Sequence, residues 1–415
     1  MPTLAAHHAP EPILGQLSGP NGAGGPNGSD EAHGSSAAEA FPGLAGLTRL
    51  AAEHAVRAEA DRRLTPEVAA AIRAAGFHRY FVPARWGGAQ GGFTDFLSGV
   101  ATLAQGDPSA AWCASVAATM GRMAAFLPPA GQRLIWQDGP DLSVVGSLMP
   151  GGNATAVRGG WELSGRWAFL SGIHHCDHAL LCAPVPLDGG GKEVRFLLVP
   201  RSAYTVERTW FTVGMRATGS DTLVLDPVFV PAEHSFARDD LVSGTPRSAE
   251  GRCYQVPLKS VSGRSFAAPV LGAVQGALAG WTASTAAKQA ASVVQSNRLS
   301  SGTEASAKLA LARSDGELDA ARLLLERSAR DADAGRADPA TAVRAHRDYV
   351  LAVELLLESV GRLFRTAGTR SQSEADPFQR FWRDANAASG HAVLQWEPAA
   401  RAFAALRLEV CRESR

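Results

Sequence analysis

The order in which hydrophobic periodicity changes along this 415-residue chain does most to limit its fold. From Leu44 to about residue 142 apolar residues recur three and four apart. From 143 to 236 short apolar runs alternate between turn signals, and from Phe266 onward the three-four spacing returns. A β unit therefore separates two helical units, in keeping with the two to three domains expected at roughly 150 residues each.

In the first unit Leu47, Leu50, Ala51, His54 and Ala58 share one helical face. Thr65-Pro66 and Asp107-Pro108 each offer an N-cap followed by a proline at the first helical position. Helices are expected over 44–75, over 93–105 and from 108, the last with Trp112, Val116 and Met120 on one side. The runs SVVGSLMP, WELSGRWAFLSG, HALLCAPV, EVRFLLVP and DTLVLDPVFVP point to a compact antiparallel barrel or sandwich over 143–236. Residues 237–262, polar and dotted with Gly and Pro, are expected to form a substrate loop. Over 263–415 a helical bundle is expected. Its clearest seam is Val343, His346, Val350, Val353, Leu357, Val360, Phe364 and Ala367, and a second helix is expected to begin near Gly316.

Residues 1–40, rich in Gly, Pro, Ser, Asn and His, bury too little apolar surface to offset their ordering entropy and are expected to form a disordered leader before a helical domain over 41–142. Forty basic and forty acidic side chains leave no net charge, so nothing in the global field gathers nucleic acid or anionic lipid. Five unpaired-looking cysteines point to a reducing cytoplasm. No secretory signal is expected, and Lys288 and Gln289 interrupt the longest apolar stretch before it could span a bilayer.

Three segments carry a resemblance. PARWGGAQGG at 83–92, WFTVGMRATGSDTLVLDPVFVP at 210–231 and GRSFAAPVLGAVQGAL at 263–278 are similar to segments of the acyl-CoA dehydrogenase superfamily. Its layout is an N-terminal helical domain, a central β-barrel or sandwich and a C-terminal helical bundle. After Arg383-Asp384, where a dehydrogenase of this superfamily carries a Tyr-Glu-Gly setting with its glutamate base, this chain reads ANAASGHAVLQWE. His391 stands near the expected base, and Glu397 is the nearest carboxylate. In this the chain resembles the reduced-flavin monooxygenases.

That resemblance implies reduced FAD or FMN, dioxygen as co-substrate, a flavin C4a-hydroperoxide, and hydroxylation of an aromatic or polyketide-like small molecule. A separate NAD(P)H flavin reductase is implied as partner, since no GxGxxG βαβ unit is present. A cytoplasmic homotetramer is implied as well. N-oxygenation of an amino-sugar nucleotide is an alternative, and an acyl-CoA dehydrogenase a more distant one. His391 is the implied base, sharing a helical stripe with Asp384, Ala388 and Gln395. Ser171, in WAFLSG, is implied to face flavin N5, or else is a connecting turn. Trp167 and Phe169 alternate along one strand and either wall the flavin ring or belong to the core. Ser147 and Trp112 are implied flavin contacts, and Arg264 a partner for a flavin pyrophosphate. His174, His175, Cys176, Asp177, His178 and Cys182 are dense in metal-ligating types, but no paired motif completes a site, and no metal is expected. The glycines at 189–191 read as a hairpin turn.

Overall fold

The structure, a computed structural model, describes residues 37–187, 189–294 and 301–413. The expected leader lies outside the described residues except for Ala37–Ala40, which form a turn of helix. Behind that turn Phe41 is buried and stacks on Phe77, centroids 4.1 Å apart.

Local capping places the first helices. Thr65 accepts the Val68 N–H ahead of Pro66, and Asp107 accepts the Ser109 N–H ahead of Pro108. The N-terminal unit thus contains α1 (Leu44–Asp61), α2 (Pro66–Ala74), α3 (Phe93–Ala104) and α4 (Pro108–Ala124). Almost all of α4 is buried, and it runs through the interior toward the β unit.

The β unit consists of β1 (Val144–Ser147), β2 (Asn153–Val157), β3 (Gly160–Leu170), β4 (His178–Pro186), β5 (Lys192–Pro200), β6 (Thr205–Glu207), β7 (Asp221–Pro231) and β8 (Ser235–Ala237). These make two four-stranded sheets, ordered β1-β4-β5-β8 and β2-β3-β7-β6. The expected antiparallel pairing holds except for β1, which pairs with β4 in parallel. A parallel pair needs a long crossover, and the intervening chain supplies β2 and β3 of the other sheet. Leu163, Trp167, Leu181, Leu197, Leu223 and Val230 fill a core of their own within this unit.

The segment 237–262 is not a plain loop. It folds into short helices at Arg238–Ser243, Arg252–Gln255 and Leu258–Val261, with Leu241, Cys253 and Tyr254 buried. Arg122 of α4 donates to the Cys253 and Val256 carbonyls and ties the segment to the core.

The bundle comprises α5 (Arg264–Val294), α6 (Ser301–Asp333), α7 (Pro339–Ala367), α8 (Pro377–Ser389) and α9 (Trp396–Glu413). The helix expected to begin near Gly316 is α6, which starts 15 residues earlier at Ser301. On α7 the expected seam is buried at Val350, Val353, Val360 and Ala367, joined by Ala345, Tyr349, Ala352, Leu356 and Leu363, while Val343, His346, Leu357 and Phe364 are half-buried. Gly272 lets α5 cross α3 closely, since a Cβ there would lie 2.0 Å from the Ala101 carbonyl oxygen. One helical stretch, Leu258–Ala291, is long and apolar enough to cross a bilayer, but 61% of its most apolar window is buried in the fold, which suits a core helix. All five cysteines are free, and only Cys411 is exposed.

Candidate active site

The site begins where β3 ends. The alternation of that strand breaks after Trp167, at a register shift against β7 between Trp167 and Leu170. Trp167 stays inside, donating its indole N–H to the Cys182 carbonyl at 3.0 Å. Phe169 adopts φ +67° and turns outward, 75% exposed, its edge toward Trp210. The bulge therefore corrects the expectation that the two rings share a face: Trp167 is core, and only Phe169 is available to a ligand. Immediately afterwards Ser171 is buried at the head of a short 3-10 turn over Ile173–His175.

Ser171 sits at the end of a line of rings. The Trp112 indole N–H donates to Ser171 Oγ at 3.0 Å. Trp112 packs against Phe266 of α5, centroids 4.9 Å apart, and Phe266 stacks on His391 at 3.8 Å and 20°. Trp112 and His391 also meet edge-on at 5.9 Å. Three widely separated residues named from the sequence, Trp112, Ser171 and His391, thus converge. Phe266, at the start of the first bundle helix, is the ring that joins them.

His391 is not on a helical stripe with Asp384, Ala388 and Gln395, because α8 stops at Ser389 and its C-cap, Gly390, bonds back to the last turn. His391 is instead the N-cap of a short turn, its Nδ1 accepting the Val393 N–H at 3.3 Å. Burial lowers its pKa to about 4, so the ring is neutral at pH 7. With Nδ1 accepting, the neutral ring carries its hydrogen on Nε2 and presents a donor. It serves as a base only by changing tautomer and giving up that contact.

A cavity of about 740 Å³ opens on the other side of Ser171, with Cys113, Ala117 and Val145 among its walls. Its polar lining includes the Arg73–Asp177 ion pair at 3.1 Å and the Arg79–Asp141 pair. His78 also lines it, buried, with Nδ1 lacking a partner and its pKa pushed down to about 4 by desolvation. Ser147 stands two residues beyond Val145 on β1, its hydroxyl donating to the Met149 carbonyl at 3.3 Å. The volume and the buried Ser171 hydroxyl on the wall fit a flat ring system such as a flavin's, while the Trp112, Phe266 and His391 rings stand behind Ser171 rather than among the wall residues.

Arg264 is misplaced for a pyrophosphate. It is fully buried inside the chain, donating to the Ser328 carbonyl and hydroxyl, with its guanidinium 5.2 Å over the Phe93 ring. Its own helix start packs against α6, which closes it off from solvent. The His/Cys/Asp cluster is dispersed as well. His174 pairs with Asp221 at 2.7 Å, His175 donates to the Leu64 carbonyl, and Cys176 meets the Tyr204 hydroxyl. Among the described residues no group of three or more such side chains is placed to hold a metal ion. Glu397, the nearest carboxylate by sequence, is exposed and paired with Arg401 at 2.7 Å. The Arg383-Asp384 pair is structural. Arg383 holds Glu59 and the Val213 carbonyl, and Asp384 accepts the Met215 N–H at 2.6 Å.

A family model described as the acyl-CoA dehydrogenase C-terminal domain matches residues 264–396. The FADH(2)-dependent resorcinol hydroxylase oxygenase component of Rhizobium sp. (strain MTP-10005) is 31% identical over 368 residues, 85% of this chain and 90% of that protein. The chain belongs to the flavin-dependent monooxygenase oxygenase components. Its fold agrees with the 3-HSA hydroxylase structure from Rhodococcus sp. RHA1 at a TM-score of 0.83 and 27% identity, over 90% of this chain and 97% of that one. A Streptomyces structure, XiaF in complex with FADH2 and glycerol, follows at a TM-score of 0.79 and 26% identity, over 89% and 94%. This oxygenase accordingly uses reduced flavin and dioxygen, takes a small-molecule substrate, and works with a separate flavin reductase.

Proposed function

We propose that this oxygenase hydroxylates an aromatic, phenol-like small molecule, with Ser171 against the flavin and His391 against the substrate oxygen. The observation that carries this reading is the continuous contact Ser171–Trp112–Phe266–His391. Reduced flavin, when bound, supplies the activated oxygen. The chain supplies the rest. Ser171 offers a hydroxyl at the flavin edge, Phe169 an exposed ring beside it, and Trp112 with Phe266 an apolar wall that excludes water. A phenolic oxygen at His391 Nε2 receives the ring's hydrogen bond, which favours its ionised, electron-rich form.

The names of relatives support an aromatic substrate. They include a resorcinol hydroxylase and, at 27% identity, a p-hydroxyphenylacetate 3-hydroxylase oxygenase component from Acinetobacter baumannii. Exposed Leu309, Leu323 and Leu408 on the long helices support a tetramer joined through the bundle. Five free thiols support a reducing, cytoplasmic location.

The test is His391→Ala, assayed with a candidate phenol, reductase and oxygen. Flavin affinity is expected to hold while product per oxygen consumed falls by roughly 10²-fold or more and hydrogen peroxide accumulates. An unchanged product yield would remove His391 from the reaction.

A further inference from the structure

Three hydroxyls stand in line behind the site. Ser171 Oγ lies 2.8 Å from Ser220 Oγ, which lies 2.6 Å from Thr218 Oγ1, which lies 2.9 Å from the Met215 carbonyl oxygen. Ser220 and Thr218, at 3% and 2% exposure, are shut away from bulk water, and Ser171, at 9%, keeps one side toward the cavity. The direction of every hydrogen in this line follows from its ends.

A carbonyl only accepts, so the single Thr218 hydrogen goes to Met215. Thr218 then accepts from Ser220, whose one hydrogen is thereby used. Ser220 in turn accepts from Ser171, using that hydroxyl's hydrogen too. At the other end the Trp112 indole only donates, and it fills one lone pair of Ser171 Oγ. What remains on Ser171 is one lone pair and no hydrogen. The line is anchored: the Met215 N–H is held by Asp384, and its carbonyl also accepts the Trp210 indole N–H at 2.9 Å.

We propose that Thr218 and Ser220 are positioning residues that fix Ser171 as a hydrogen-bond acceptor and so make the site select the reduced cofactor. This rests on the reading that Ser171 faces flavin N5. Reduced flavin carries a hydrogen on N5 and donates it; oxidised flavin has only a lone pair there. A Ser171 locked as acceptor pairs with the first and opposes the second. A Ser171 free to rotate would serve both, and the preference would fade. In an oxygenase that does not reduce its own flavin, such a lock favours uptake of the form the reductase releases and discharge of the form left after turnover.

The experiment is an anaerobic titration of the full chain with reduced and with oxidised flavin, FMN and FAD separately, read as the ratio of the two Kd values. The native protein is expected to hold the reduced form more tightly. Ser220→Ala frees the Ser171 hydrogen, and Thr218→Val frees the Ser220 hydrogen to point back at Ser171. Each is expected to lower the reduced-over-oxidised preference by roughly two- to tenfold, the range of one hydrogen bond. Thr218→Ser, which keeps the hydroxyl, is expected to retain the preference.

A merely structural role would weaken both affinities together and leave their ratio alone, which would overturn the proposal. Ser171→Ala separates the two layers of the argument. If Ser171→Ala changes the ratio and Ser220→Ala does not, the hydroxyl line is wrong. If Ser171→Ala leaves the ratio unchanged, the placement of Ser171 at N5 is wrong. Should Thr218→Val fail to fold, Ser220→Ala, which removes one small buried hydroxyl, carries the test.

Discussion

His391 illustrates how the setting of a single side chain decides its chemistry. Half-buried against Phe266, it is held neutral, with its pKa lowered from 6.5 to about 4. The unfolded chain protonates this ring near pH 6.5 and the folded one resists until about pH 4. Its contribution to stability is therefore complete above pH 6.5 and is lost as pH falls through 4. His391→Asn cannot titrate, so the gap in urea midpoint between native protein and variant is expected to narrow steadily from pH 7 to pH 4. A constant gap would mean that the ring is not shielded. Asp384 works in the opposite sense. Burial, with Asp107 nearby, raises its pKa from 3.8 to about 7, so its favourable share is present below pH 3.8 and fades as pH rises through 7.

At the scale of elements, the loop between β6 and β7 brings the hydroxyl line to Ser171, and α8 holds that loop. Glu59 of α1 binds both Arg383 of α8 and Arg216 of the loop, at 2.6 and 3.4 Å. Gly214 is where loop and helix touch: a Cβ there would stand 2.4 Å from the Arg383 carbonyl oxygen. Gly214→Ala must push the loop away from backbone that cannot rotate aside. It is expected to cost on the order of 1–3 kcal/mol in denaturant unfolding and to weaken flavin binding with it. Full stability in this variant would show that the loop is not clamped.

Which elements could be read from sequence follows from where their causes lie. Thr65-Pro66 and Asp107-Pro108 carry their caps within four residues, and the helices start where those residues say. The positions of Trp167 and Phe169 depend on a bulge set by the partner strand, 52 to 56 positions later at Asp221 and Leu223. No spacing within β3 announces it. His391 lies two residues beyond the end of α8, and the cue was in the sequence: Gly390 is the residue type that most often stops a helix. Arg264 is buried because α6 and Phe93 close over it, which only tertiary packing decides. The paired hydroxyls Thr218 and Ser220 lie within the 210–231 segment that carries the family resemblance. Their shared side became meaningful only once Ser171 was found opposite them.

For the molecule as a whole, the succession helix, strand, helix was legible because each period is sustained over dozens of residues. Convergence of its three units on one site was legible only through resemblance. Residues from α4, the end of β3, the start of α5 and the turn after α8 meet within a few ångströms. No local pattern in one unit refers to another.

The distribution of sulfur has a consequence for endurance. An oxygenase that misfires sheds peroxide inside itself, and peroxide attacks thiolates far faster than thiols. Burial pushes the pKa of Cys176, Cys182 and Cys253 up to about 11 and that of Cys113, on the cavity wall, higher still. All four stay protonated and slow to react. Mass spectrometry after prolonged turnover without substrate is expected to find sulfinic and sulfonic acid first at Cys411 on the outer helix, while the interior sulfurs survive. Early damage at Cys113 would contradict this. The same packing that builds the reaction chamber thus works as its antioxidant lining.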